Sequence, residues 1–94
     1  MNKTLYEIKR TSRFKKDYKI IKKRGYNVTL LKEPIELLAN GKQLPAKYND
    51  HPLKGTFKGL RECHIAPDWL LVYEVDDNRL YLYLTRTGTH SDLL

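Results

Sequence analysis

Two periods divide the chain. Between Phe14 and Leu38 apolar side chains recur every three to four positions, whereas from Leu60 onward they alternate with polar ones. The first spacing predicts amphipathic helices and the second predicts strands with one buried face. Ahead of both, Thr4-Leu5-Tyr6-Glu7-Ile8 is short and β-prone and predicts a first strand over about residues 3 to 9. Thr11 or Ser12 can cap a helix in which Phe14, Tyr18 and Ile21 form the apolar stripe, Arg13, Lys15, Lys16, Lys19, Lys22 and Lys23 surround it, and Gly25 supplies the stop. Asn27 can cap a second helix with the stripe Leu31, Ile35, Leu38 and an end at Asn40-Gly41. Pro34 interrupts it. A proline inside a helix costs on the order of 3 kcal/mol, so this helix is kinked there or starts later than Asn27.

The stretch from Gly41 to Gly59 has no sustained period and reads as an ordered loop. Strands are predicted at about 60 to 66, 69 to 75 and 79 to 86, joined by turns at Pro67-Asp68 and Asp76-Asp77-Asn78 into an antiparallel meander. In the last strand Leu80, Leu82 and Leu84 should face the helices, with Tyr81 and Tyr83 on the more exposed side. A strand, two helices and a meander make an α+β arrangement with the helices on one face of the sheet. With 94 residues, of which 40% are hydrophobic, residues 1 to 94 are expected to form a single domain around one modest core.

Charge changes the picture. Residues 1 to 32 hold 11 Lys/Arg against Glu7 and Asp17, a balance of 11 − 2 = +9, while residues 33 to 94 hold 7 against 9, or −2. The net +7 therefore resides in the N-terminal third. Such an asymmetry points to a polyanion, most simply nucleic acid, although a solvated basic face that keeps the protein soluble would look the same. The single Cys63 excludes an intramolecular disulfide, and the N-terminus lacks the pattern of a secretory signal. A cytoplasmic location is expected. No apolar run approaches the roughly 20 residues needed to cross a bilayer.

The chemistry-bearing residues lie in the second half. His51 stands in Asp50-His51-Pro52-Leu53-Lys54-Gly55, His64 in Arg61-Glu62-Cys63-His64-Ile65-Ala66-Pro67-Asp68-Trp69, and His90 in Arg86-Thr87-Gly88-Thr89-His90. Imidazole can give or take a proton near neutral pH, and cleavage of RNA through the neighbouring 2′-hydroxyl needs both operations and calls for no metal or other cofactor. Each histidine alone also fits a structural or exposed position. Together, next to Asp68, Arg61 and Arg86, they suit an active site at one edge of the sheet. Asp68 can orient an imidazole or move a proton itself, or simply cap its turn. Arg61 and Arg86 can hold a phosphate bidentately, Lys54 and Lys58 as point charges; ordinary ion pairs would equally explain both arginines. Trp69 can stack on an unpaired base or pack in the core. Histidines in this spacing lack the close pairs of a zinc or facial-triad motif, and His64 cannot serve Cys63 as a base because neighbours on a strand point to opposite faces.

The ordered set DHPL, R-x-x-H, PDW and RTGTH, carried by His51, Arg61, His64, Asp68, Trp69, Arg86 and His90, resembles the YafQ branch of the RelE/ParE toxin superfamily over almost the whole chain. The resemblance implies a RelE-like β-α-α-β-β-β fold with an antiparallel sheet. It further implies a toxin of a type II toxin–antitoxin system, a ribosome-dependent mRNA endoribonuclease held inactive by a cognate antitoxin, with operator DNA bound only by the toxin–antitoxin complex. His51, His64, Asp68 and His90 then fall in the active site, His90 as general acid with His51, His64 or Asp68 taking the 2′-hydroxyl proton, Arg86 as a phosphate clamp, and Lys54, Lys58, Arg61 and Trp69 against RNA. Two rival expectations are a non-catalytic ParE-like toxin that binds a DNA topoisomerase and a small basic RNA-binding protein. Neither needs three histidines with an aspartate.

Overall fold

The computed structural model describes residues 4 to 93. The first strand, β1, is Glu7–Arg10. It begins later than expected, and Lys3, at the start of the predicted span, lies outside the described residues. Helix α1 follows at Ser12–Lys23, opened by Thr11, whose Oγ1 accepts the Phe14 N–H at 3.0 Å and donates to the Thr85 carbonyl at 2.8 Å. Its end is a paired cap: the Tyr26 N–H reaches the Ile21 carbonyl and the Gly25 N–H reaches that of Lys22, both at 3.1 Å. Gly25 sits at φ +90°, a conformation that favours glycine at this position.

Asn27 does act as a cap, but of a 3₁₀ turn over Val28–Leu31, and α2 proper is Lys32–Ala39. The later start of the two alternatives is the one observed, with no kink needed. Pro34 is the third residue of α2, where the missing N–H would have had no partner within the helix.

The segment expected to be a loop contains 3₁₀ turns at Ala46–Tyr48 and Gly55–Phe57 and a two-residue strand, β2, at His51–Pro52. Strands β3 (Arg61–Ala66), β4 (Trp69–Asp76) and β5 (Tyr81–Gly88) form the antiparallel meander, and a helical turn, α3, runs over His90–Leu93. The sheet order is β1-β5-β4-β3-β2. One pairing corrects the all-antiparallel expectation: β1 lies parallel to β5, with Glu7 opposite Tyr81 and Arg10 opposite Leu84. Because the last strand is thereby laid beside the first, the helices fill the crossover between them.

Phe14, Leu38 and Ala39 pack on the inner sheet face against Cys63, Leu71, Tyr73, Leu82 and Leu84. Ile21, Leu31 and Trp69 form a second buried cluster near the far end of α1. Leu80 departs from the predicted stripe; it stands in the β4–β5 turn at φ +58° and is 44% exposed. A register shift between Val72 and Tyr73 changes the phase of β5, so that Leu82, Leu84 and then Thr87, rather than Arg86, are buried. No helix among the described residues is long and apolar enough to cross a membrane.

Candidate active site

Strand alternation sends Cys63, Leu71 and Tyr73 inward, and Glu62, His64, Leu70 and Val72 to the opposite face. Leu70 and Val72 floor a groove of about 300 Å³ there, walled by Leu53, Phe57, Leu60 and Leu93 and edged by Arg13, Glu62, Arg86 and His90. Register explains how distant histidines come together beside His90, at its edge. His51 pairs with Glu62 across β2 and β3, while the row His64, Leu70, Gly88 aims the end of β5, and hence His90, towards His64. The ring centroids are 6.2 Å apart for His51 and His64 and 5.9 Å apart for His64 and His90. The three imidazoles therefore form one row.

Their neighbours differ. Asp68, in the β3–β4 turn, takes both the backbone N–H of His90 at 3.2 Å and its ring Nδ1–H at 2.7 Å. That contact holds the Asp68 carboxyl below its ordinary range, so it stays ionised until the solution is more acidic than the usual carboxylate midpoint. His51 Nε2 is 3.1 Å from Glu62 Oε2, and its Nδ1 is 3.2 Å from the Pro52 carbonyl. His64 has no such carboxylate among the described residues. Its Nδ1 is buried without a hydrogen-bond partner among the described residues.

Several expected RNA contacts are already engaged. Arg86 donates from Nε at 2.7 Å and Nη2 at 3.3 Å to the buried carboxylate of Asp17, which also accepts the Thr87 N–H at 3.1 Å. Asp17 thereby satisfies the outer edge of β5 where its pairing with β1 has ended. A free bidentate phosphate clamp is thus corrected to an ion-paired arginine with Nη1 alone unengaged among the described residues. Replacing Asp17 with Ala leaves a half-buried guanidinium and the buried Thr87 N–H without their partner, and should lower the unfolding free energy by about 3 kcal/mol, read as a fall in the urea midpoint.

Arg61 is likewise paired, to Asp50 at 3.1 Å, with the Tyr73 hydroxyl donating to the same carboxylate. Trp69 is only 2% exposed; its Nε1–H donates to Thr87 Oγ1 at 2.8 Å and its ring meets Tyr26 edge-on at 5.2 Å. It is a core residue and cannot stack on a base in this conformation. Lys54 and Lys58 remain exposed on the segment that contributes Leu53 and Phe57 to the groove. Cys63 is buried on the inner face, where burial pushes its thiol up to about 12. Sequence reasoning gave no role to Glu62, although residues two apart on a strand share a face, nor to Asp17, the one acid on a basic helix.

This arrangement has relatives. A family model described as the bacterial toxin of type II toxin–antitoxin system, YafQ, matches residues 6–94. The chain belongs to the YafQ toxin family. It is 42% identical over 88 residues to the mRNA interferase toxin YafQ of Escherichia coli K12, an alignment that covers 93% of this chain and 94% of that one. Among solved structures, YafQ in the E. coli DinJ–YafQ toxin–antitoxin complex superposes with a TM-score of 0.87 at 41% identity, covering 96% and 98% of the two chains. A metal-bound toxin from Helicobacter pylori superposes at 0.89 with 44% identity, covering 95% and 99%. In this YafQ-family chain no three His, Cys, Asp or Glu side chains among the described residues stand close enough to hold an ion.

Proposed function

We propose that this YafQ-family toxin is an endoribonuclease, an mRNA interferase that cleaves messenger RNA on the ribosome by acid–base chemistry through the 2′-hydroxyl. The observation that carries the reading is the row of three imidazoles at about 6 Å spacing, with Asp68 bonded to His90. With Asp68 occupying Nδ1, His90 presents Nε2 to substrate as the general acid. Asp68 is a poor base, since His90 holds its proton affinity down. His51 is tied to Glu62, which leaves His64 to take the proton, through Nε2 because its Nδ1 is enclosed. The 2′-oxygen attacks phosphorus as its proton passes to His64; the bond to the 5′-oxygen breaks as His90 protonates it. The products are a 2′,3′-cyclic phosphate and a 5′-hydroxyl.

His51, Lys54, Lys58 and the unengaged nitrogen of Arg86 supply positive charge or donors to the phosphate. Arg61 lies at the same edge but serves Asp50 first. The basic face of α1 would hold ribosomal RNA, in a cytoplasmic setting, with residues 1 to 94 acting as one domain. A DinJ-like antitoxin, of the kind paired with the relative in the E. coli DinJ–YafQ toxin–antitoxin complex, would neutralise the toxin by covering the groove, and operator DNA would be met only by the toxin–antitoxin complex.

The test is message cleavage in a ribosome-containing extract, with the ends of the fragments identified. Cyclic phosphate and 5′-hydroxyl termini are expected. Arrest of translation without cleavage would overturn the reading, and a poisoned topoisomerase would replace it with the non-catalytic one.

A further inference from the structure

Helix α3 has four residues, too few to persist by itself, yet it carries His90. Reciprocal bonds close its first turn: Asp92 N–H donates to Thr89 Oγ1 at 3.1 Å, and Thr89 N–H donates to Asp92 Oδ2 at 2.9 Å. The same carboxylate is gripped from outside. Arg24 donates to it from both terminal nitrogens, Nη1 to Oδ2 at 2.6 Å and Nη2 to Oδ1 at 3.0 Å. Arg24 is the residue at which α1 ends, and the glycine cap beside it fixes that end. Gly88 makes the approach possible, because a Cβ there would come within 3.0 Å of the Asp92 side chain. Asp68 holds the other side of the turn through the His90 backbone and ring.

We propose that Arg24 and Asp92 are positioning residues for His90: a bidentate ion pair that moors the short C-terminal turn to α1 and so sets the aim of the imidazole. The mooring is read from geometry, and its consequence for rate rests on the ribonuclease function proposed above. Arg24 and Asp92 are 43% and 26% exposed, so the grip is partly screened by solvent and its loss should loosen the turn without unfolding the protein. Asp92→Asn keeps an oxygen for the Thr89 N–H but removes the charge that Arg24 holds. Asp92→Ala removes both.

Two measurements on the full chain test this. In amide exchange followed by NMR, the His90 N–H should exchange about three- to tenfold faster in Asp92→Asn and in Arg24→Gln, with a larger change in Asp92→Ala. The difference from wild type should shrink as salt is raised. In cleavage of ribosome-bound message, the same variants should lower the rate at saturating ribosomes by a similar factor while the half-saturating concentration stays put. Unchanged His90 exchange in Asp92→Asn and in Arg24→Gln would overturn the mooring. Faster exchange with an unaltered cleavage rate would overturn its catalytic consequence. A wild-type protein that never cleaves would overturn the ribonuclease reading, leaving the exchange result to decide the mooring by itself.

Discussion

His90→Ala lowers the rate of message cleavage by about two to four orders of magnitude and leaves the fold intact. On the proposed mechanism the loss is large because the carboxyl groups beside the departing oxygen are poor replacements as acids: Asp68 stays ionised, and Glu62 is committed to His51. The fold survives because His90 is exposed at the start of a single helical turn, outside both hydrophobic clusters. The comparison is made between folded proteins, matched by circular dichroism and urea midpoint, at saturating ribosomes. Near-normal cleavage by the variant would remove His90 from the chemistry. A weaker effect of His51→Ala than of His64→Ala is expected on the same assay, since His64 is assigned the proton and His51 the phosphate.

Trp69→Ala acts through stability instead. Its indole is buried between Tyr26, Ile21 and Leu31 and bonded to Thr87, so truncation leaves a cavity and removes the hydrogen bond that the Thr87 hydroxyl accepts while it donates to the Leu70 carbonyl, and should cost about 3 to 5 kcal/mol. Trp69→Phe refills most of that space and forfeits chiefly the hydrogen bond, costing about 1 kcal/mol. Urea unfolding separates the two. The folded Trp69→Phe protein should still cleave message at close to the wild-type rate, whereas a large loss of cleavage at full stability would return Trp69 to the substrate.

The difference between these residues shows which parts of the site could be read from the chain. The meander was legible because alternation from Leu60 onward has only one low-energy reading, and the Thr11 cap and Gly25 stop because their chemistry is local. The pairing of β1 with β5 left no such mark, since its partners are 74 positions apart and nothing near either strand encodes direction. Two residues of β2 are too few for any period. The meeting of His51, His64 and His90 depends on strand register, which alternation constrains without naming the partners. Arg86 and Trp69 belong to types prized at binding sites, and the structure shows both held within the protein, Arg86 by Asp17 and Trp69 by Thr87. Asp17 lies one position before Tyr18 on the apolar side of a helix otherwise studded with lysine. A carboxylate placed there requires a cation from elsewhere in the fold.

The parallel seam between β1 and β5 also has a bearing on when the protein can act during its own synthesis. Everything from β1 to β4 leaves the peptide exit tunnel before the strand that β1 must join, and His90 is carried beyond that strand. An emerging polypeptide that stops short of β5 has an unpaired first strand, no partner for the Asp17 carboxylate and no third imidazole. Competence thus waits until β5 and the turn that carries His90 have both emerged.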